Sequence, residues 1–153
     1  MKHVISVALL MLFAGIANAQ DPPQAVQKAV KALFGNAEVL QWEHNPKAYV
    51  AFLENGEEYH YCRVESNGVW TDKGVYAFLE DLPEAVQNSI ENLSGIAAET
   101  GEFYTASLKN GDTAYMVFVD DGLAKSSFLV NAEGKVLRKE SFPMQMEADE
   151  DYE

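Results

Sequence analysis

The chain has 153 residues, of which 48% are hydrophobic and 23% charged, so its composition suits one compact domain, or two small fused ones, with a core and disfavours a disordered chain. Its formal net charge of −13 disfavours nucleic acid and anionic membrane surfaces as partners, whereas a basic protein surface or a cation would be attracted. Cys62 is the only cysteine, so no internal disulfide can form and core packing must hold the fold.

The first nineteen residues have the pattern of a signal peptide. Lys2 precedes an apolar run over residues 4–16, which an Ala-Asn-Ala cleavage site follows. A membrane span needs about 20 apolar residues; this run is shorter, and no later stretch reaches that length. Removal of residues 1–19 would leave 10 Lys and Arg against 24 Asp and Glu, a net charge of −14. We expect an exported protein, periplasmic or secreted, that is cut near Ala19 and is not inserted in a membrane.

Two short amphipathic helices are predicted sixty positions apart. Residues 24–35 and 84–95 each follow a proline, carry apolar residues at helical spacing and end on a glycine. Val30 in the first segment is answered by Ile90 in the second. This spacing indicates that the helical segment is duplicated.

An eight-residue segment is also duplicated. Residues 49–56 read Tyr-Val-Ala-Phe-Leu-Glu-Asn-Gly, and residues 104–111 read Tyr-Thr-Ala-Ser-Leu-Lys-Asn-Gly, so five of the eight positions are identical. Alternating residues that run into Asn-Gly are typical of a β-hairpin with a two-residue type I′ turn. Turns are also predicted at residues 66–68, 120–122 and 132–134.

The predicted fold class is α+β: two tandem repeats of one helix plus about four antiparallel strands, which form a continuous sheet with the helices on one face. We assign residues 21–80 to the first repeat and residues 81–142 to the second. Residues 143–153 are rich in acids and lack an apolar period, so they are predicted to be a disordered tail.

The pattern of proline-initiated helices, Tyr-x-Ala-x-Leu-x-Asn-Gly hairpins and return strands resembles the PepSY-like exported proteins over nearly all of residues 21–142. That group is similar in shape to the tandem β-lactamase-inhibitor proteins. The resemblance implies a periplasmic protein of a Gram-negative bacterium, with helices on one face of an antiparallel sheet and no catalytic signature. It also implies inhibition or regulation of a peptidase or another exported enzyme, gripped by the open face of the sheet.

Strand alternation divides the hairpin residues between two faces. A two-residue Asn55-Gly56 turn would pair Leu53 with Glu58. The face assigned to the helices then holds Tyr49, Ala51, Leu53, His60, Cys62 and Val64, with Tyr104, Ala106, Leu108, Tyr115, Val117 and Val119 from the second copy. The opposite face holds Val50, Phe52, Tyr59, Tyr61 and Arg63, with Phe103, Thr105, Ser107, Met116 and Phe118.

The face away from the helices is unusually aromatic, which leaves two interpretations open. Exposed aromatic patches mark interaction surfaces, but rings can also stack across strands beneath a loop or the tail. On the first interpretation, the candidate partner-binding residues are Trp42, Val50, Phe52, Tyr59, Tyr61 and Trp70.

No residue pattern indicates catalysis. His60 and Cys62 share a face two positions apart, yet that face is assigned to the core, which favours a buried, inert thiol. Two histidines remain after cleavage, too few for a zinc site, and residues 120–122 are interpreted as a turn. We therefore predict a non-enzymatic, protein-binding module without cofactor or metal. The alternative is a carrier of a small ligand or cation that uses its acidic surface. The simpler interpretation of the acidity is that it keeps an exported protein soluble.

Overall fold

The computed structural model describes residues 21–93 and 97–144. The predicted signal peptide, residues 1–19, lies outside this part of the chain, and so does the predicted tail from residue 145 on. No helix in the described part is long and apolar enough to cross a membrane.

Within the described residues, three helices accompany the sheet. Helix α1 (Gln24–Phe34) starts after Pro23, and α2 (Glu84–Glu91) starts after Pro83. Proline suits this position, because an N–H at the start of a helix has no partner within the helix and proline lacks that N–H. Helix α3 (Ala97–Thr100) is a single turn. The segments predicted as helices from their apolar spacing are thus helical, although α2 ends earlier than expected.

Eight strands form one antiparallel meander in which every strand pairs with its neighbour in sequence. They are β1 (Glu38–His44), β2 (Ala48–Asn55), β3 (Glu58–Glu65), β4 (Trp70–Ala77), β5 (Glu102–Leu108), β6 (Thr113–Asp120), β7 (Ala124–Val130) and β8 (Val136–Pro143). A short 3-10 turn, Leu79–Asp81, links β4 to α2.

The sheet curls into a half-barrel, so that strands far apart in the meander touch across its inner face. The ring of Phe52 on β2 lies 4.9 Å from the ring of Phe118 on β6. At the seam between β1 and β8, the side-chain amide of Asn45 donates to the carbonyl of Ser141 at 3.3 Å. The helices lie on the other, outer face, where Val26 of α1 and its neighbours pack on the sheet.

The predicted fold class is wrong. The structure is one eight-stranded curled sheet with a few short helices, and not two repeats of a helix with about four strands. The duplicated octapeptide explains the error, because its two copies lie at different places in the order of elements. Residues 49–56 lie in β2 and the turn after it, so they follow another strand, whereas residues 104–111 lie mainly in β5, which follows a helix. A core also runs continuously across the proposed boundary, since β4 pairs with β5. The division at residue 80 stays a prediction.

The first hairpin is shifted by two residues from its predicted register. Asn55 pairs with Glu58, so the turn is Gly56-Glu57, and Leu53 lies opposite His60. Gly56 has a φ of 68°, and no described residue other than a glycine has a positive φ, so Glu57 has a negative one. This is the pattern of a type II′ turn with glycine first. A shift of two keeps every side chain on its face. The helix-facing set that includes Ala51 and Cys62 is therefore confirmed beneath α1.

The second hairpin is shifted by one residue, which reverses the faces of β5. Its loop has three residues, 109–111, with Gly111 at a φ of 98°, and Ser107 pairs with Thr113. The last residue of a three-residue loop of this kind has a positive φ, a backbone conformation that glycine adopts most easily. An odd shift exchanges the two faces of one strand relative to the other.

The predicted faces of β5 are therefore wrong, and those of β6 are right. Tyr104 and Ala106 lie in the inner core with Met116 and Phe118, whereas Phe103 lies under α2. By alternation, Leu108 faces inward as well, and Thr105 and Ser107 face outward.

Candidate functional site at the mouth of the half-barrel

Aromatic rings fill the middle of the inner face. Phe118 is the hub, with ring centroids at 4.9 Å from Phe52, 5.5 Å from Tyr61 and 5.7 Å from Tyr104. Most of these pairs meet edge to face, the arrangement that aromatic quadrupoles favour. This region fits the second interpretation of the aromatic face, in which the rings pack against one another across strands and across the half-barrel.

Three of the six predicted partner-binding residues lie inside this packing. Val50 is 1% exposed, Phe52 8% and Tyr61 0%. A partner could reach them only if the half-barrel opened. The predicted contact role of these three therefore lacks an accessible surface in this conformation, because the curl of the sheet covers them.

Four charged side chains close the inner face at its polar end. The guanidinium of Arg63 on β3 donates to Glu140 on β8 at 2.8 and 2.5 Å, and Arg138 on β8 contacts Asp72 on β4 at 3.0 and 3.1 Å. Tyr61 also donates its hydroxyl to Asp72 at 2.7 Å. Two cations thus face two carboxylates, so these buried charges are paired, as burial requires.

The same environment keeps these groups in fixed protonation states. Burial raises the pKa of Tyr61, and the neighbouring charge of Asp72 raises it further. Burial would lower the pKa of Arg63, but the hydrogen bonds and charge of Glu140, together with the charge of Asp72, raise it overall. The phenol stays protonated and the guanidinium stays charged at ordinary pH, which suits a structural role.

Cys62 and His60 do not form a nucleophile and its base. Cys62 is fully buried under α1, and burial followed by the charge of Asp72 raises the pKa of its thiol to about 12. The ring of His60 lies against Phe34 at 5.4 Å, and its Nε2 is 3.3 Å from a carboxylate oxygen of Glu58. The prediction of a buried, inert thiol is confirmed.

An aromatic cluster continues from the inner core to the surface at one end of the half-barrel. Tyr76, at the end of β4, lies edge to face with buried Tyr104, at 5.7 Å between centroids. Phe78 lies edge to face with Tyr76, also at 5.7 Å. Tyr76 is 39% exposed and Phe78 59% exposed, although large rings usually hide their surface. We call this end of the inner face the mouth.

Charged residues border the mouth on the same face of the sheet. They are Glu43 of β1, Glu102 of β5, Asp120 of β6 and Lys125 of β7. The ammonium of Lys125 lies 3.9 Å from a carboxylate oxygen of Glu43 and 4.7 Å from the centroid of the Phe52 ring. The hydroxyl of Tyr104 is 3.5 Å from a carboxylate oxygen of Glu102.

Electrostatics at the mouth leave negative charge in excess. Burial raises the pKa of Glu43. The charge of Lys125 and a hydrogen bond from Gln41 lower it, whereas the nearby carboxylates of Asp120 and Glu102 raise it again. These three carboxylates are therefore close enough to repel one another. Glu43 pairs with the ammonium of Lys125, while Glu102 and Asp120 form no ion pair among the described residues.

The remaining predicted residues lie apart from one another and are half-buried. Trp42 lines a cleft of about 370 Å³ between α1 and β1, with Phe34 on its other side. The ring of Trp70 lies 5.7 Å from the ammonium of Lys73 and 5.9 Å from that of Lys109. Tyr59 lies on β3 opposite Glu54, on the inner face two residues from Tyr61. The structure does not bring the two tryptophans together with the mouth.

Tyr76 and Phe78 are not among the site residues predicted from the sequence. The alternation Tyr76-Ala77-Phe78 next to the 3-10 turn was the available signal, because it continues the inner face beyond the last strand pairing.

The turn at residues 120–122 forms as predicted. The carboxylate of Asp121 accepts hydrogen bonds from the backbone N–H groups of Leu123 and Ala124, at 2.8 and 2.9 Å. These donors lower the pKa of Asp121. Within residues 21–93 and 97–144, no group of three His, Cys, Asp or Glu side chains is arranged to hold a metal ion.

No protein-family model matches this chain, and no curated protein matches it. Solved structures are similar at low identity. A protein of Bacteroides eggerthii, provisionally described as periplasmic, shares 20% identity with a TM-score of 0.49, and the match covers 80% of this chain and 90% of that one. A BLIP-like protein of Bacteroides fragilis shares 20% identity with a TM-score of 0.45, over 88% and 96% of the two chains.

A DUF2874 family protein of Bacteroides ovatus shares 17% identity with a TM-score of 0.48, over 80% of this chain and 89% of that one. At these values the similarity assigns no function to this chain, so any role has to follow from its own geometry.

Proposed function

We propose that this chain is a non-catalytic, exported protein-binding module that engages another exported protein at the mouth. The observation that carries the proposal is the exposure of two adjacent rings, Tyr76 and Phe78, on a buried aromatic base. Aromatic side chains on a rigid support offer large contact area with little loss of side-chain entropy, which is why they dominate binding hot spots.

Export follows from the sequence pattern of residues 1–19 and remains part of the proposal. The resemblance to PepSY-like exported proteins favours the same role, and inhibition of a peptidase or another exported enzyme is its narrower form. Tyr59, Trp42 and Trp70 stay secondary candidates, because each is half-exposed but separate from the two rings of the mouth.

The alternative of a small-ligand or cation carrier receives less support. Rings in the middle of the inner face and paired charges at its polar end contact one another across the half-barrel, where a ligand would otherwise lie. The cation version of this alternative depends on the acidic tail, and residues 145–153 lie outside the described part of the chain.

A capture experiment with matched variants tests the proposal. The mature chain and its Tyr76→Ala/Phe78→Ala variant serve as bait in periplasmic extract. The control, Val69→Ala/Leu137→Ala, removes two exposed apolar side chains from the opposite end of the sheet. We expect the mouth variant to lose the captured protein and the control to retain it, with both variants folded by circular dichroism. Equal capture by all three baits would contradict a role for the mouth.

A further inference from the structure

The mouth already holds one cation between a ring and a carboxylate. Lys125 places its ammonium 4.7 Å from the centroid of Phe52 and 3.9 Å from an oxygen of Glu43. Its side chain is 13% exposed and that of Glu43 is 15% exposed, so partial loss of water strengthens both attractions. The mouth therefore has the chemistry to bind an ammonium or guanidinium group.

A second position with a carboxylate beside aromatic rings lies next to the site of Lys125, and no described residue forms an ion pair with the carboxylate there. Glu102 lies next to Tyr104, whose ring supports Tyr76. Among residues 21–93 and 97–144, the ion pairs involve neither Glu102 nor Asp120. Asp120 accepts a hydrogen bond from the N–H of Gly122, which leaves its other oxygen for a further donor.

Charge complementarity then decides what kind of segment the exposed rings accept. Glu43, Glu102 and Asp120 outnumber Lys125, and the whole chain carries a net charge of −13. An acidic segment would add to the repulsion among these carboxylates, whereas a basic segment relieves it and is attracted from a distance.

We propose that the mouth binds an extended, lysine- or arginine-bearing segment of the partner. A cationic side chain would lie between the Glu102 carboxylate and the exposed ring of Tyr76, and an adjacent apolar side chain would pack on Phe78. This inference rests on the proposed function, because it names the chemistry of the partner at the same surface.

Binding of designed peptides to the full mature chain tests the inference. The probe is fluorescein-labelled Lys-Trp-Lys-Trp-Lys-amide, and the charge-reversed peptide carries Glu in place of each Lys. Fluorescence anisotropy is measured at low and high salt. We expect the lysine peptide to bind, the glutamate peptide not to bind, and added salt to weaken the complex.

Two variant pairs separate the mouth from the general acidity of the chain. Glu102→Gln/Asp120→Asn removes two charges at the mouth, and Glu91→Gln/Glu133→Gln removes two exposed charges from α2 and from the turn before β8. We expect the mouth pair to weaken the lysine peptide about fivefold or more and the control pair to weaken it less than about twofold. Equal weakening by the two pairs, or binding of both peptides, would overturn the inference.

Failure here is distinguishable from failure of the proposed function. If the mouth pair binds the lysine peptide as the wild type does, while Tyr76→Ala/Phe78→Ala still loses the captured partner, the partner is not basic but the mouth is still the binding surface. If the aromatic variant captures its partner normally, the proposed function itself is wrong.

Discussion

Aromatic side chains have different roles in the middle of the inner face and at the mouth. Phe118 is 2% exposed and contacts three other rings, whereas Phe78 is 59% exposed and contacts one, Tyr76. The curl of the sheet covers the first and stops short of the second. Whether an aromatic side chain stabilises this fold or offers a contact surface therefore depends on its distance from the point where the strands close on each other.

The charges follow the same division. At the polar end of the inner face, Arg63 and Arg138 face Asp72 and Glu140, so the positive and negative groups balance and each is hydrogen-bonded. At the mouth, carboxylates exceed ammonium groups. Balanced, buried charges have no remaining attraction for a partner, whereas unbalanced charges at an opening attract the opposite sign.

The largest expected effect comes from the same substitution made in both regions. Phe118→Ala removes the hub of the buried rings and should lower the free energy of unfolding by about 3–5 kcal/mol. Phe78→Ala removes a mostly exposed ring and should change it by about 0.5 kcal/mol or less. Urea denaturation of both variants measures the difference. Similar losses would show that the mouth belongs to the stabilising core.

A smaller effect is expected from the carboxylate of Glu43. Burial raises the folded-state pKa of Glu43 above the ordinary value of a glutamate, so the folded protein keeps a proton that the unfolded chain has released. Its contribution to the free energy of unfolding is then most favourable at low pH and falls as pH rises through the folded-state pKa.

Glu43→Gln should remove this pH dependence and leave the melting temperature at pH 7 unchanged or a few degrees higher. Thermal unfolding between pH 4 and 7 measures it, with Glu133→Gln as the exposed control. A marked drop in the melting temperature at pH 7 would mean that the pairing of Glu43 with Lys125 outweighs the effect of burial.

Local features of the fold could be predicted from the sequence, but the way its halves combine could not. The spacing of Val26 and Val30 predicted α1, and alternation placed Ala51 and Cys62 beneath it. Identity between residues 49–56 and 104–111 suggested equivalent hairpins, yet the turns differ by one loop residue. That single residue turns Tyr104 inward, because side chains alternate along a strand.

The candidate site was predictable only in part. Alternation correctly grouped Val50, Phe52 and Tyr61 on one aromatic face, but it carries no information on how far a sheet curls. Curvature depends on contacts between strands distant in sequence, such as Arg63 with Glu140. The same curvature decides that Phe78 is left outside.

The central claim is that the mouth, and not another acidic or aromatic surface, binds the partner. Amide chemical-shift perturbation of the labelled mature chain by Lys-Trp-Lys-Trp-Lys-amide tests this claim most directly. We predict shifts concentrated at residues 43, 76–78, 102–104 and 118–125, with little change at Trp70. Shifts spread over all acidic segments, or centred on Trp70, would contradict it.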